Sequence, residues 1–265
     1  TNFPGLDQPG ETCWDTRKIM IGALTARKKN LELLIDSSEM DQWADYSLYD
    51  CAACHHELKS QSRRQNRGDA STPGRPRQPE WTDLQLLQVG KLLADDETEL
   101  AKLEQRLTHA FAARPFGDES QVVRNASELR DRLQSAISKG ETATINCDTA
   151  RAILIGLLDT PTEQIITYDS ARQVVWAIRA ISSELNAMGQ GLPPEVEQMI
   201  QELDQPATGD GKIGIATQLP AGRSEFIYER GLREDLERRA AFDPDRLAER
   251  LRTIATALRG SSSGS

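Results

Sequence analysis

The residue types able to do chemistry are few in this chain: four cysteines (Cys13, Cys51, Cys54 and Cys147) and three histidines (His55, His56 and His109) in 265 residues. Five consecutive positions, Cys51-Ala52-Ala53-Cys54-His55, form the C-x-x-C-H pattern of a c-type haem attachment site. The spacing follows from the chemistry. Two thiols three positions apart on one helical turn can each add to a vinyl group of the same haem and leave two thioethers. The next imidazole, His55, then falls under the iron as the proximal axial ligand. A zinc half-site and a thioredoxin-like C-x-x-C are the competing readings. Zinc needs two more ligands from a chain that offers only His56, His109 and two distant cysteines, and the redox motif expects a βαβ setting that the sequence lacks.

The remaining groups are read around that motif. His56 follows His55 directly, about 100° round a helix, so it cannot reach the opposite face of the same iron. It is assigned to the haem surroundings, where it could meet a propionate, pair with Glu57 or ligate a neighbouring haem. His109 is the only other imidazole and the candidate distal ligand, against an ordinary histidine that suits the dipole near a helix C-terminus. Met20, Met40, Met188 and Met199 are weaker candidates for that distal position and read first as core filler. Arg63 and Arg64, with Arg67, Arg75 and Arg77, concentrate positive charge after the haem motif. Arg63 or Arg64 can fork onto haem propionates, or the loop can steer an acidic redox partner, or it is simply solvated. Cys13 and Cys147 remain for a candidate disulfide. Asp210-Gly211-Lys212 echoes a calcium loop, but Pro206 and Thr217 stand where its first and last ligands belong, so calcium is rejected.

Helices must position these groups. Apolar spacing predicts helices over residues 15–35, over 41–59 around the haem motif, and from Thr82 to about Ala113 with Leu93, Leu100, Leu103, Leu107 and Phe111 on one stripe. Asp118 caps the next, where Val122, Ala126, Leu129, Leu133 and Ile137 recur, and Gly140 stops it. Further helices are expected over 148–158, 162–187, 193–203, 223–240 and 243–259. Only 212–217 looks extended. Residues 60–80 hold five Arg, three Pro and two Gly and read as an exposed basic loop.

An internal repeat organises the elements. Cys13, Arg17, Ile19, Ile21, Gly22 and Leu24 recur as Cys147, Arg151, Ile153, Ile155, Gly156 and Leu158, each 134 positions later. Tyr49-Asp50-Cys51-Ala52 has a counterpart in Tyr168-Asp169-Ser170-Ala171, and Phe116 before an Asp-capped helix resembles Phe242-Asp243. The fold expected is an all-α helical bundle built from two degenerate copies of one unit. Residues 1–140 carry the haem and the basic loop, 141–259 form a copy without haem, and 260–265 make a flexible tail. Where the first copy has Cys51, Cys54, His55 and His56, the second has Ser170, Gln173, Val174 and Val175. It cannot hold a covalent haem, and Val174, Val175 and Trp176 are expected to fill the space.

The stretch Tyr46 to Lys59 with its Cys54-His55-His56, followed by Ser62-Arg63-Arg64-Gln65 and Gly74-Arg75-Pro76, resembles the C-terminal region of bacterial multihaem c-type cytochromes of the cytochrome c-554-like group. The resemblance covers residues 10 to 80. Arg63 stands where that group tends to have Trp, and its further haem motifs are missing. The resemblance implies electron transfer in the periplasm or at the cell surface, with a redox protein or other multihaem subunits as partners.

Composition agrees with that reading. Lys and Arg total 32 against 41 Asp and Glu, a formal charge of −9, which argues against a nucleic-acid partner. No run reaches the ~20 apolar residues of a membrane helix. No signal peptide leads the chain, and a start at Thr1 reads as a mature product or an excised piece of a longer protein. The expectation is an extracytoplasmic segment carrying one covalent haem c, an electron carrier rather than an enzyme. A partner-docking helical module and a haem sensor or enzyme with an open distal position are the alternatives.

Overall fold

The computed structural model describes residues 12–39, 43, 84–113, 117–160, 168–203 and 242–262. The C-x-x-C-H motif, the basic loop at 60–80, the expected elements at 212–217 and 223–240, and all of 41–59 except Trp43 lie outside the described residues. Among the described residues every regular element is an α-helix: α1 (Trp14–Glu39), α2 (Leu84–Lys91), α3 (Glu97–Ala112), α4 (Glu119–Gly140), α5 (Cys147–Leu158), α6 (Tyr168–Ala187), α7 (Pro194–Glu202) and α8 (Pro244–Ser262). The all-α expectation holds. None of these helices is long and apolar enough to cross a membrane.

The apolar stripes fold inward as their period dictates. Val122, Ala126, Leu129, Leu133 and Ile137 of α4 are buried, as are Val174, Ile178, Ile181 and Leu185 of α6 and Leu247, Leu251, Ile254 and Leu258 of α8. Each fully buried aliphatic side chain contributes about 1.5–3 kcal/mol relative to exposure. Asp118 caps α4 by accepting from the Gln121 amide, and Asp243 accepts from the amides of Asp245 and Arg246 at the start of α8.

Three expectations are corrected. The helix expected from Thr82 to Ala113 is two helices, α2 and α3, parted at Leu92–Asp96. Tight bonds from the Leu92, Leu93 and Ala94 amides back to Val89, Gly90 and Lys91 close α2, and Asp96 opens α3 by accepting from the Glu99 amide at 2.9 Å. Trp176 does not fill space in the core: it is 51% exposed, while Val174 and Val175 are buried. Gly140 does end α4 as expected, yet without a left-handed turn, since the next residue, Glu141, is still right-handed at φ −60°. Its value is closeness: a Cβ there would lie 2.7 Å from Leu93 Cδ1 and 3.0 Å from Ile21 Cγ1. At the other end of the chain, α8 runs on through Ser262, into the stretch expected to be a flexible tail.

The chain divides into two compact units, one formed by Lys18–Ala143 and the other by Thr1–Arg17 with Thr144–Ser265. In the first, α3 packs along α4, and α1 meets α2 at Gly90, where an added Cβ would lie 2.9 Å from the Met20 carbonyl oxygen. A backbone oxygen cannot swing aside as a side chain does. Gly90→Ala is therefore expected to cost about 1–3 kcal/mol by parting the two helices, read as a lower urea midpoint.

The first unit also buries charge. Arg27, 5% exposed, forks onto Glu104 of α3, with Nε to Oε1 at 3.0 Å and Nη2 to Oε2 at 2.5 Å. Lys91, 7% exposed, closes α2 nearby. Burial holds its ammonium pKa below the usual lysine value of 10.5; Glu104 works against that shift and Arg27 with it. As pH rises, the folded chain therefore gives up this proton before the unfolded chain does. Stability gains as pH climbs from the lowered folded value towards 10.5. Lys91→Met is expected to remove that alkaline gain, visible as a flatter difference between the two stability curves.

In the second unit α5 packs on α6 and α8, and α7 packs on α6 and α8. Tyr168 at the start of α6 meets Phe242 edge to face at 5.8 Å, and Asp159 after α5 pairs with Arg259 of α8.

Candidate functional site

Of the residues singled out by their chemistry, Cys51, Cys54, His55, His56, Arg63 and Arg64 lie outside the described residues. His109 is exposed in the last turn of α3, where a basic side chain suits the helix dipole. Met20 is a core residue, 1% exposed. Cys13 and Cys147, by contrast, are brought together, and Met188 joins them.

The second unit builds this cluster from three chain segments. Cys13 immediately precedes α1, and its amide donates to the Ile145 carbonyl at 2.6 Å, which draws the chain beside the start of α5. Asn146 caps α5 through the Thr149 amide at 2.8 Å, so Cys147 is the first helical residue. Met188 follows α6. There the Gln190 amide bonds back to the Leu185 carbonyl at 2.9 Å and the Gly189 amide to that of Asn186 at 3.0 Å, with Gly189 at φ +73°. This is a Schellman end, and the left-handed residue it needs is a glycine. Arg151 of α5 ties the motif down by donating to the Gln190 carbonyl at 2.9 Å.

The three sulfurs form a nearly equilateral triangle. Cys13 Sγ lies 3.8 Å from Cys147 Sγ and 3.4 Å from Met188 Sδ, and Cys147 Sγ lies 3.7 Å from Met188 Sδ. Both cysteines are free thiols. Cys13 is fully buried, whereas Cys147 and Met188 are half-buried. Burial pushes the Cys13 thiol pKa up to about 12, and the contact with Cys147 and the charge of Glu184 act in the same direction.

Glu184 has its own structural task. A cysteine just before α1 is a poor helix cap, and the open amides are satisfied from α6 instead. One carboxylate oxygen of Glu184 accepts from the Asp15 amide at 2.6 Å, and the other from the Thr16 amide and hydroxyl at 3.0 and 2.7 Å. Thr16 is fully buried, so no water would replace that partner. Glu184→Ala is expected to cost about 2 kcal/mol in urea unfolding, with Glu184→Gln recovering part of it.

Sequence reasoning placed Cys13 and Cys147 together only as a candidate disulfide and read Met188 as filler. The signal for Met188 was its position before Gly189, a helix-ending glycine that fixes where the preceding side chain goes. Nothing in the sequence pointed to Glu184, which reads as one more solvated charge on α6. Among the described residues no group of three or more His, Cys, Asp or Glu is arranged to hold a metal. It is the methionine that makes the cluster threefold. No protein-family model matches the chain, and no curated protein or solved structure matches it either.

Proposed function

We propose that the chain is an extracytoplasmic c-type cytochrome segment that carries one covalent haem and transfers electrons. The observation that carries this reading is Cys51-Ala52-Ala53-Cys54-His55. As a donor set it fits a haem c: two thiols for the vinyl groups and an imidazole at the position of a proximal ligand. Bound haem would supply an iron centre that cycles between two oxidation states. This chain's residues would hold it covalently through Cys51 and Cys54 and axially through His55. Arg63 and Arg64 would meet its propionates, and His56 would lie beside it. The partner would be a redox protein or another multihaem subunit, and the compartment the periplasm or cell exterior, where haem is attached.

The reading includes two copies of one helical unit, the second without haem. The matched exposure of α1 and α5 supports it. Thr16 to Leu24 and Ala150 to Leu158 alternate between buried, half-buried and exposed positions in the same order, residue for residue.

A pyridine haemochrome assay and a reduced-minus-oxidised visible spectrum test the proposal. A haemochrome that resists acid-acetone extraction is the expected result, and a chain without covalent haem overturns it. The exposure of His109 favours a second reading, a haem sensor or enzyme whose sixth position is open. A high-spin ferric spectrum would select that reading. A low-spin spectrum lost in His109→Ala would select His109 as distal ligand.

A further inference from the structure

We propose that Cys13, Cys147 and Met188 form a binding site for a soft monovalent metal ion, copper(I). The geometry comes first. An ion about 2.3 Å from three sulfurs, the usual metal–thiolate distance, spaces them by about 4.0 Å in a trigonal plane and about 3.8 Å in a tetrahedral face. The observed edges of 3.8, 3.7 and 3.4 Å need widening by at most about 0.4 Å for the tetrahedral face and about 0.6 Å for the trigonal plane.

The donor set then selects the ion. Two thiolates and a thioether are soft ligands, and a thioether is a poor match for borderline zinc or for hard cations. The carboxylate nearby, Glu184, already accepts three hydrogen bonds from the first turn of α1, so it is committed elsewhere. Copper(I) displaces the two thiol protons to leave a complex of net charge −1, and Cys147, the first residue of α5, sits at a helix N-terminus, where the dipole favours a negative group. Cys147 and Met188 are half-buried, which leaves an entry path, while Cys13 closes the inner side. A disulfide between the cysteines would bring their sulfurs to about 2 Å and would leave unexplained why Met188 touches both.

This inference uses no residue of the haem motif and stands apart from the cytochrome reading. The full chain carrying Cys51→Ser and Cys54→Ser keeps Cys13 and Cys147 as its only thiols. After reduction it is titrated anaerobically with copper(I) held by bicinchoninate. The expected result is one ion per chain, with three sulfur neighbours by X-ray absorption. Cys147→Ser should lose the site. Met188→Leu should keep the same far-UV circular dichroism and show two sulfur neighbours, with affinity about tenfold weaker or more. A reduced chain that takes no copper from bicinchoninate overturns the proposal, as does a folded Met188→Leu variant that binds as tightly as its parent.

Discussion

Covalent haem is expected to be absent from the chain carrying Cys51→Ala and Cys54→Ala, produced in a host that matures c-type cytochromes. Each thioether needs its own cysteine sulfur, and neither Cys13 nor Cys147 stands in a C-x-x-C-H pattern. The readout is all or none, a haem-stained band on a denaturing gel present in the parent and missing in the variant. The single substitutions grade the effect, since one remaining cysteine can hold haem by a single thioether with a shifted haemochrome maximum. A double variant that still carries denaturation-resistant haem would refute the assignment of these two cysteines. The helical scaffold gives a control: circular dichroism should retain strong helicity, because the eight described helices draw their stability from apolar stripes elsewhere in the chain.

Glu104→Ala is expected to destabilise the unit formed by Lys18–Ala143 by about 2–4 kcal/mol. The carboxylate is the acceptor for both arms of the Arg27 fork, and it is the charge that opposes the lowered pKa of Lys91. Removing it takes the acceptor from the Arg27 fork and weakens the negative charge facing two buried cations, with Glu97 still acting on Lys91. The loss is a large fraction of the 5–15 kcal/mol that holds an ordinary domain together. Equilibrium urea unfolding measures it. Glu104→Gln, which keeps the shape and one acceptor, should fall between parent and alanine variant. Coupling Glu104→Ala with Lys91→Met should recover part of the loss, because one of the two buried cations is gone. Equal stability of Glu104→Ala and the parent would mean that the charges are solvated and the triad energetically silent.

Much of the helical framework could be read from the chain, for a definite reason. Leu129 and Leu133, or Ile178 and Ile181, recur at helical spacing and are buried because one face of a helix needs cover. The break between α2 and α3 was hidden by the same rule. Leu93 and Leu100 are seven residues apart and both buried, so the period runs through the interruption without a fault. Only Asp96 and Glu99 mark it. Periodicity also cannot distinguish a buried charge from a solvated one: Arg27, Lys91 and Glu104 come from three helices and become a group only after those helices pack. The candidate sites divide in the same way. The C-x-x-C-H pattern is local, five residues legible from their spacing alone. The sulfur triangle joins positions 134 and 41 residues apart, so it emerges only with the tertiary fold.

The Schellman end of α6 gives the chain a kind of adaptability. The bonds that shape it run from the backbone of Gly189 and Gln190 to that of Asn186 and Leu185, and none involves the side chain at position 188. The bend is thus a mount that does not depend on what it carries. A histidine or cysteine there would be presented to the same two thiols on an unchanged backbone. A substitution at this one position changes the chemistry of the corner while leaving in place the backbone bonds that bend it.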